Sequence, residues 1–267
     1  MDFQELANHV RDSDKFHFPF EWELKLPHVF GFQVTKFMVL ELIAAVLMVL
    51  LFVAIARRVR RGGPPRGIIW NMVEVMLLFI RDEVARPTIG KHDADRFLPL
   101  LWNMFFFILF CNLLGVLPWA GSPTGSLSVT GVLAIITFCV VVGTGMLKFG
   151  AWGYVKGLVP HMDLPLVIKV PVLVLLFPIE LAGLIIRHAV LAVRLMANMF
   201  GGHLVLGVIL GFIAMSANFI LAWLGIMPLS VLGSAALTLL ELFVAFLQAY
   251  IFTFLSALFI GMAVHPH

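Results

Sequence analysis

The chain contains 267 residues, of which 61% are apolar and only 12% are charged, whereas an ordinary soluble domain has about 45–50% apolar and about 25% charged residues. A soluble globular fold is excluded, because a core of this size could not bury so many apolar side chains. The surplus must face lipid. The apolar residues form continuous blocks of about twenty, which is the length of a membrane-spanning helix, and they do not alternate as the strands of a transmembrane barrel do.

The first 35 residues form a polar segment in front of a membrane domain at residues 36–267. Six acidic residues lie in this segment. The first membrane span is predicted at residues 37–56, where the apolar run stops at an arginine cluster, residues 57–61. Lys and Arg concentrate on the cytoplasmic side of short connections. We therefore expect the arginine cluster to be cytoplasmic and the N-terminal segment to lie on the outer side.

An amphipathic helix is predicted at residues 68–84, after a break rich in glycine and proline. The segment is apolar, but it contains Asn71, Glu74 and Arg81 and is flanked by further basic residues. Such a pattern is typical of a helix that lies in the membrane interface and does not cross it. We expect this helix on the inner membrane surface.

A hairpin of two spans is predicted over residues 97–147, with its helices at 97–117 and 127–147. The connecting loop contains no Lys or Arg, which places it outside. By contrast, nine of the eighteen Lys and Arg residues lie between Arg57 and Arg96. This uneven distribution sets the predicted orientation, with the N-terminus outside.

Two unusually long apolar segments follow, at residues 166–224 and 229–264. A helix over residues 179–224 would be about 65 Å long, roughly twice the thickness of the hydrocarbon core. We therefore predict a steeply tilted antiparallel hairpin with its turn at Gly225–Pro228. The complete prediction is an all-α integral membrane protein with about five membrane-embedded helices and one amphipathic surface helix.

Charged side chains lie inside this long hairpin. An arginine at the bilayer centre costs about 2.5–3.5 kcal/mol on insertion scales, and Arg194 cannot lose its charge, so it needs a carboxylate or water. Glu180, Arg187 and Arg194 are spaced by sevens and share one stripe of the helix. Arg187 and the adjacent His188 either take part in the function or only mark the inner interfacial region.

A polar seam is predicted between the two long helices. Glu241 and Gln248 are seven residues apart and share a face. A moderate shift in the register of the two helices, or a bend in one of them, would bring Glu241 and Gln248 close to Asn198 and His203. A proton relay through lipid requires such a series of polar side chains. The structural alternatives are a packing role for His203 and an intrachain salt bridge from Arg194 to a glutamate.

The sequence resembles one family closely. Residues 194–203 (RLMANMFGGH) are similar to the signature of subunit a of the F-type ATP synthase, the stator of its proton-driven motor. The resemblance continues through residues 241–254 (ELFVAFLQAYIFTF), which are similar to the last helix of the family, and through residues 99–118 (PLLWNMFFFILFCNLLGVLP). It covers most of the chain between residues 96 and 262.

The resemblance implies roles for several residues. Arg194 would face the ion-binding carboxylate of a ring of c subunits and would block a direct proton leak between two offset half-channels. Glu180 would lie near the inner half-channel. Four residues match positions of the outer half-channel: Asn198, His203, Glu241 and Gln248. In some bacterial members the acid and the histidine exchange helices, which keeps one imidazole and one carboxylate.

The resemblance also implies partners. The chain would be a non-catalytic subunit in the bacterial plasma membrane, with its C-terminus in the cytoplasm. It would contact the c ring, the b-subunit peripheral stalk, the rest of the ATP synthase and the lipid bilayer, and it would need no cofactor, metal or nucleic acid. Na⁺ in place of H⁺ stays open, because the ion-binding carboxylate is on another chain.

Two other classes of protein compete with this interpretation. A self-contained secondary transporter or channel is the main one, but the chain shows no internal repeat and no pair of interrupted helices. A bis-histidine haem protein needs histidines on facing helices, whereas His188 and His203 share one helix and are about 22 Å apart along it. A transporter would be active alone, whereas a stator should copurify with a c ring.

Overall fold

The N-terminal segment contains short strands that the sequence analysis did not assign. The computed structural model describes residues 15–18, 22–25, 28–29, 32–60, 67–117, 121–157, 166–216 and 220–265. Strands β1 (Lys15–Phe18) and β2 (Trp22–Lys25) form one antiparallel pair, and β3 (His28–Val29) and β4 (Phe32–Gln33) form another. In β1 and β2 apolar and polar residues alternate, which is the period of a strand.

Helix α1 spans Lys36–Arg60. It includes the predicted span and continues through most of the arginine cluster, because arginine is a good helix former. Only the first turns are buried, at Lys36, Phe37, Leu40 and Ala44. The other apolar side chains of α1 are exposed or partly exposed, as expected for a helix in lipid.

The helix predicted at residues 68–84 is present and continues beyond residue 84, and its place on the inner membrane surface stays a prediction. It consists of α2 (Ile68–Phe79), a π-helical turn (Ile80–Ala85) and α3 (Arg86–Ile89). In the π-turn, the Asp82 carboxylate accepts hydrogen bonds from Arg81 Nε at 3.0 Å and from Arg86 Nη1 at 2.7 Å. The hydrogen bonds from Arg81, followed by the charges of both arginines, lower the pKa of Asp82.

The next two helices are α4 (Ala94–Gly115) and α5 (Leu127–Gly157), with a 3₁₀ turn at Pro123–Gly125 between them. They correspond to the hairpin predicted at residues 97–147. Helix α5 is interrupted at Gly150, where φ is 74° and ψ is 158°. Glycine adopts this backbone conformation without steric cost, so the helix can change direction at that residue.

The last two helices are very long: α6 (Leu166–Ser216) has 51 residues and α7 (Ile220–Val264) has 45. At 1.5 Å per residue, α6 is about 77 Å long. The predicted turn at Gly225–Pro228 is wrong, because these residues lie inside α7. Proline removes only one backbone hydrogen bond, and membrane helices tolerate this where neighbouring groups replace it. Residues 217–219, which separate the helices, lie outside the described part.

Among the described residues, five helices are long and apolar enough to cross a membrane: Lys36–Arg60, Ala94–Gly115, Leu127–Gly150, Pro171–Ile209 and Gly225–Val264. The prediction of an all-α integral membrane protein with about five membrane-embedded helices is confirmed. The tilt of the long hairpin relative to the membrane stays a prediction, as do the positions of the chain termini.

The chain divides into two compact units. The first contains residues 1–64, 105–130 and 194–250, and the second contains residues 65–104, 131–193 and 251–267. In the first unit, Phe106 packs edge-on against Phe52 of α1 at a centroid distance of 5.6 Å. In the second unit, Trp102 Nε1 donates a hydrogen bond to the Leu77 carbonyl at 3.1 Å, which joins α4 to α2.

In the second unit, α7 lies directly against the backbone of α3. A methyl group on Gly261 would overlap the Thr88 carbonyl oxygen and lie 2.9 Å from the carbonyl carbon. Backbone atoms cannot rotate away as side chains do. Glycine at residue 261 is therefore required for this approach.

We predict that Gly261→Ala destabilises the protein by about 1–3 kcal/mol, the usual cost of overpacking. The control is Gly131→Ala in the same unit, where a methyl group would have no neighbour within 4 Å. The measurement is the midpoint of thermal unfolding of the purified protein. Equal midpoints for the two variants would contradict the close packing at Gly261.

Candidate functional site

Arg194 is the central residue of the candidate site. It lies in α6 within the candidate span Pro171–Ile209, and its side chain is partly exposed. Among the residues that the structure describes, no carboxylate lies within ion-pairing distance of its guanidinium. The intrachain salt bridge, which was the structural alternative for this residue, is therefore not formed in the described part of the chain.

Glu241 of α7 lies directly against α6. A methyl group on Gly202 would be 2.5 Å from Glu241 Oε1 and 3.2 Å from its Cδ. Glu241 is only 8% exposed, and its Oε1 atom is buried without a hydrogen-bond partner among the described groups. A buried acceptor without a donor is costly. Binding of a proton or a water at this carboxylate would relieve that cost.

His203 follows Gly202 in the chain, so the structure brings Glu241 to the segment that carries the histidine. Within the described part of the chain the two side chains are not hydrogen-bonded to each other. His203 is partly exposed, Asn198 is exposed, and Gln248 is buried. The four residues therefore lie in the same unit, but the polar seam along all of them stays a prediction.

Lys36 is a residue that the sequence analysis missed. It is the first residue of α1, it is only 4% exposed, and its charge acts electrostatically on His203. Its position directly before an apolar run was the available signal. A lysine is almost never fully buried unless it is paired, and this one is close enough to His203 for its charge to act on that residue.

Glu180 and Arg187, which were predicted for the inner side, lie nearer than Arg194 to the N-terminal end of α6. Arg187 Nη2 is 3.7 Å from Glu180 Oε2, and both side chains are partly exposed, by 45% and 35%. An exposed ion pair at this distance is weak. Glu180 is therefore within reach of Arg187 and remains accessible from outside the protein.

His188 is buried, in contrast to its neighbour Arg187. Its ring packs against Phe138 at 5.3 Å and Phe259 at 5.0 Å, and its Nδ1 atom is 2.9 Å from the Leu184 carbonyl oxygen. A carbonyl only accepts hydrogen bonds, so Nδ1 carries the proton. No group of three or more His, Cys, Asp or Glu that could hold a metal occurs among the described residues.

Asn112 of α4 is a second residue that the sequence analysis missed. It is fully buried, its Nδ2 donates a hydrogen bond to the Ala245 carbonyl at 3.1 Å, and its Oδ1 accepts one from Thr124 at 2.6 Å. An amide inside an apolar span needs such partners. Asn112 is one of two asparagines in the apolar run PLLWNMFFFILFCNLLGVLP, and a polar side chain in such a run was the signal.

Comparison with known proteins identifies the family. A family model described as ATP synthase A chain matches residues 38–261. This chain belongs to the ATP synthase subunit a family. Every site residue predicted from the sequence lies inside the matched range, and Lys36 lies just outside it.

Several named relatives are similar in sequence to this chain over most of its length. ATP synthase subunit a of Myxococcus xanthus is 40% identical over 242 residues, which cover 88% of this chain and 75% of the relative. ATP synthase subunit a of Chloroherpeton thalassium is 38% identical, with coverage of 96% and 75%. ATP synthase subunit a 2 of Chlorobaculum tepidum is 37% identical, with coverage of 97% and 72%. The resemblance seen in the sequence is confirmed.

We predict that Gly202→Ala in this subunit a chain lowers proton conduction about tenfold, because overpacking at a close contact costs about 1–3 kcal/mol and displaces the Glu241 carboxylate. Gly201→Ala is the matched control, since a methyl group at Gly201 has no neighbour within 4 Å. The measurement is passive proton flux through the membrane sector in vesicles. Equal flux in both variants would contradict the contact between Gly202 and Glu241.

Proposed function

We propose that this chain is the proton-translocating stator of the membrane sector of an F-type ATP synthase. In this proposal, Arg194 couples proton movement to rotation of a ring of c subunits. The observation that carries the proposal is the permanent charge of Arg194 inside a candidate span, with no carboxylate partner among the described residues. A charge of this kind needs a partner, and a carboxylate on another subunit would supply it.

Arg194 has two tasks in this mechanism. It keeps a c-ring Asp or Glu ionised while that carboxylate is beside it, so the carboxylate releases its proton on one side and takes one up on the other. It also repels protons electrostatically, which prevents a direct leak between two half-channels. Each proton that crosses the membrane supplies about 2.3 kcal/mol per 100 mV of membrane potential.

The outer half-channel delivers protons to the ring. Support comes from Glu241, whose buried oxygen lacks a partner among the described groups and lies against Gly202. A carboxylate next to an imidazole can pass a proton between water and the ring. His203, Asn198 and Gln248 would complete this path on α6 and α7.

The inner half-channel receives protons from the ring. Glu180 is the proton acceptor in this proposal, because it is partly exposed and only weakly paired with Arg187. The buried His188 contributes to the packing behind this path and does not carry protons.

The proposal also specifies the partner subunits and the membrane orientation of this chain. The subunit is non-catalytic by itself and works with the c ring, the b-subunit peripheral stalk and the remaining ATP synthase subunits. Its N-terminus lies outside the bacterial plasma membrane and its C-terminus lies in the cytoplasm, because Lys and Arg concentrate at the predicted inner ends. The proposed coupling ion is H⁺.

We predict that Arg194→Ala abolishes proton-driven ATP synthesis, because no charge then separates the half-channels or holds the ring carboxylate ionised. Arg187→Gln on the same helix is the comparison and should retain measurable synthesis, since Arg187 is exposed. ATP synthesis in energised vesicles is the readout, with copurification of the c ring as the test of assembly. Normal synthesis by assembled Arg194→Ala complexes would refute the mechanism.

We predict that Glu241→Gln and His203→Ala slow proton entry from the outer side by about 10²-fold, within the usual contribution of a proton-transfer group. Thr238→Ala is the control on α7, because within the described part of the chain Thr238 hydrogen-bonds only to the Ser234 carbonyl of its own helix. Proton flux through the membrane sector is measured after a pH jump on the outer side. Wild-type flux in both variants would show that the outer path does not use these residues.

A further inference from the structure

Residues 121–126 lie directly before α5, in the loop between α4 and α5, and most of them are buried. Gly121, Ser122, Pro123 and Thr124 are all buried, although loops normally run over the surface. A methyl group on Gly115 would be 2.5 Å from Ser122 Cβ. The loop therefore folds back onto the end of α4, and a glycine there makes this possible.

The loop also reaches two other helices of its unit, the start of α1 and an internal segment of α6. Gly121 has a φ of 69°, and a methyl group on it would be 3.1 Å from Lys36 Nζ at the start of α1. A methyl group on Gly125 would be 3.9 Å from the backbone nitrogen of Phe200 in α6. Phe200 is three residues before His203. The loop thus touches the segment of α6 that carries the proposed outer path.

A directed chain of hydrogen bonds connects the loop to α7. Asn112 Nδ2 donates to the Ala245 carbonyl, so the amide oxygen of Asn112 must accept from Thr124 Oγ1. The Thr124 hydroxyl has one proton, and therefore Ser122 Oγ donates to Thr124 at 2.6 Å. All three side chains are at most 2% exposed. The chain ends at a backbone carbonyl, which cannot pass a proton on, so it does not conduct protons.

The last acceptor of this hydrogen-bond chain belongs to Ala245, which lies on the face of α7 that carries Glu241 and Gln248. Ala245 follows Glu241 by four residues and precedes Gln248 by three, which puts all three on one face of the helix. The neighbouring Phe246 packs edge-on against Phe105 at 5.7 Å. Phe105 and Asn112 are seven residues apart on α4 and share a face. Two contacts from one face of α4 therefore hold α7 at residues 245 and 246.

We propose that residues 121–126 are a positioning element for the outer proton path, in which Thr124 and Asn112 hold α7 in the rotation that turns Glu241 toward α6. Asn112 and Thr124 are positioning residues and touch no transferred proton. The inference rests on the proposed role of Glu241. In this proposal the loop, in addition to the two long helices, determines the position of the Glu241 carboxylate.

The test uses pairs of substitutions in the assembled ATP synthase. Thr124→Val keeps the shape of the side chain and removes the donor to Asn112, whereas Thr124→Ser keeps the donor. Thr130→Val is the matched control, because Thr130 is equally buried and, among the described residues, its hydroxyl donates only to the nearby Ser126 and Leu127 carbonyls. The readouts are the maximal rate of ATP synthesis in vesicles and the outer proton concentration that gives half of that rate.

We expect Thr124→Val to raise the half-saturating proton concentration about fivefold, which corresponds to the loss of one buried hydrogen bond. Thr124→Ser and Thr130→Val should match the wild type. Asn112→Leu, which removes both the donor to Ala245 and the acceptor for Thr124, should behave as Thr124→Val does. The proposal is overturned if Thr124→Val and Thr130→Val have the same half-saturating proton concentration, or if Thr124→Ser does not have the wild-type value. It is also overturned if Thr124→Val prevents assembly, because that result indicates a purely structural role.

A parallel measurement on Glu241→Gln separates the two proposals. If Glu241→Gln has wild-type proton flux, the proposed outer path is wrong and this inference falls with it. If Glu241→Gln is impaired while Thr124→Val equals Thr130→Val, only the positioning role of the loop is refuted.

Discussion

A charge that cannot be removed, carried on a helix inside lipid, is the constraint on which the rest of this structure depends. Arg194 keeps its proton at any physiological pH, and among the described residues no carboxylate neutralises it. Such an arrangement is stable only if another subunit or water provides the missing partner. The long helix α6 presents this charge, and the proposed coupling to a c ring follows from it.

The second constraint concerns how helices approach each other when lipid surrounds them. Lipid tails are as apolar as leucine, so association depends on close packing and on hydrogen bonds between helices. Gly202 lets the Glu241 carboxylate reach α6, and Gly261 lets α7 reach the backbone at Thr88. Asn112 supplies a hydrogen bond to α7. Small residues and one buried amide therefore determine where the titratable groups lie.

Much of the fold could be predicted, because lipid imposes simple rules on sequence. Apolar runs of about twenty residues identify spans, and the predicted hairpin at residues 97–147 corresponds to α4 and α5. The turn at Gly225–Pro228 was wrong, since proline is a weak signal in membrane helices. The candidate site was found through charges in apolar surroundings, whereas Lys36 and Asn112 were missed because each is a single polar residue whose meaning depends on its neighbours.

The sequence by itself determined the class of protein, the number of spans and the family, because these depend on composition and on short motifs that are read along the chain. It also identified Arg194, since a permanent charge inside lipid is conspicuous without coordinates. Only the tertiary structure decided that Glu241 lies against Gly202, that His188 is buried beside Phe138 and Phe259, and that residues 121–124 are buried. These facts depend on the register and rotation of helices, and periodicity cannot supply either quantity for two helices in contact.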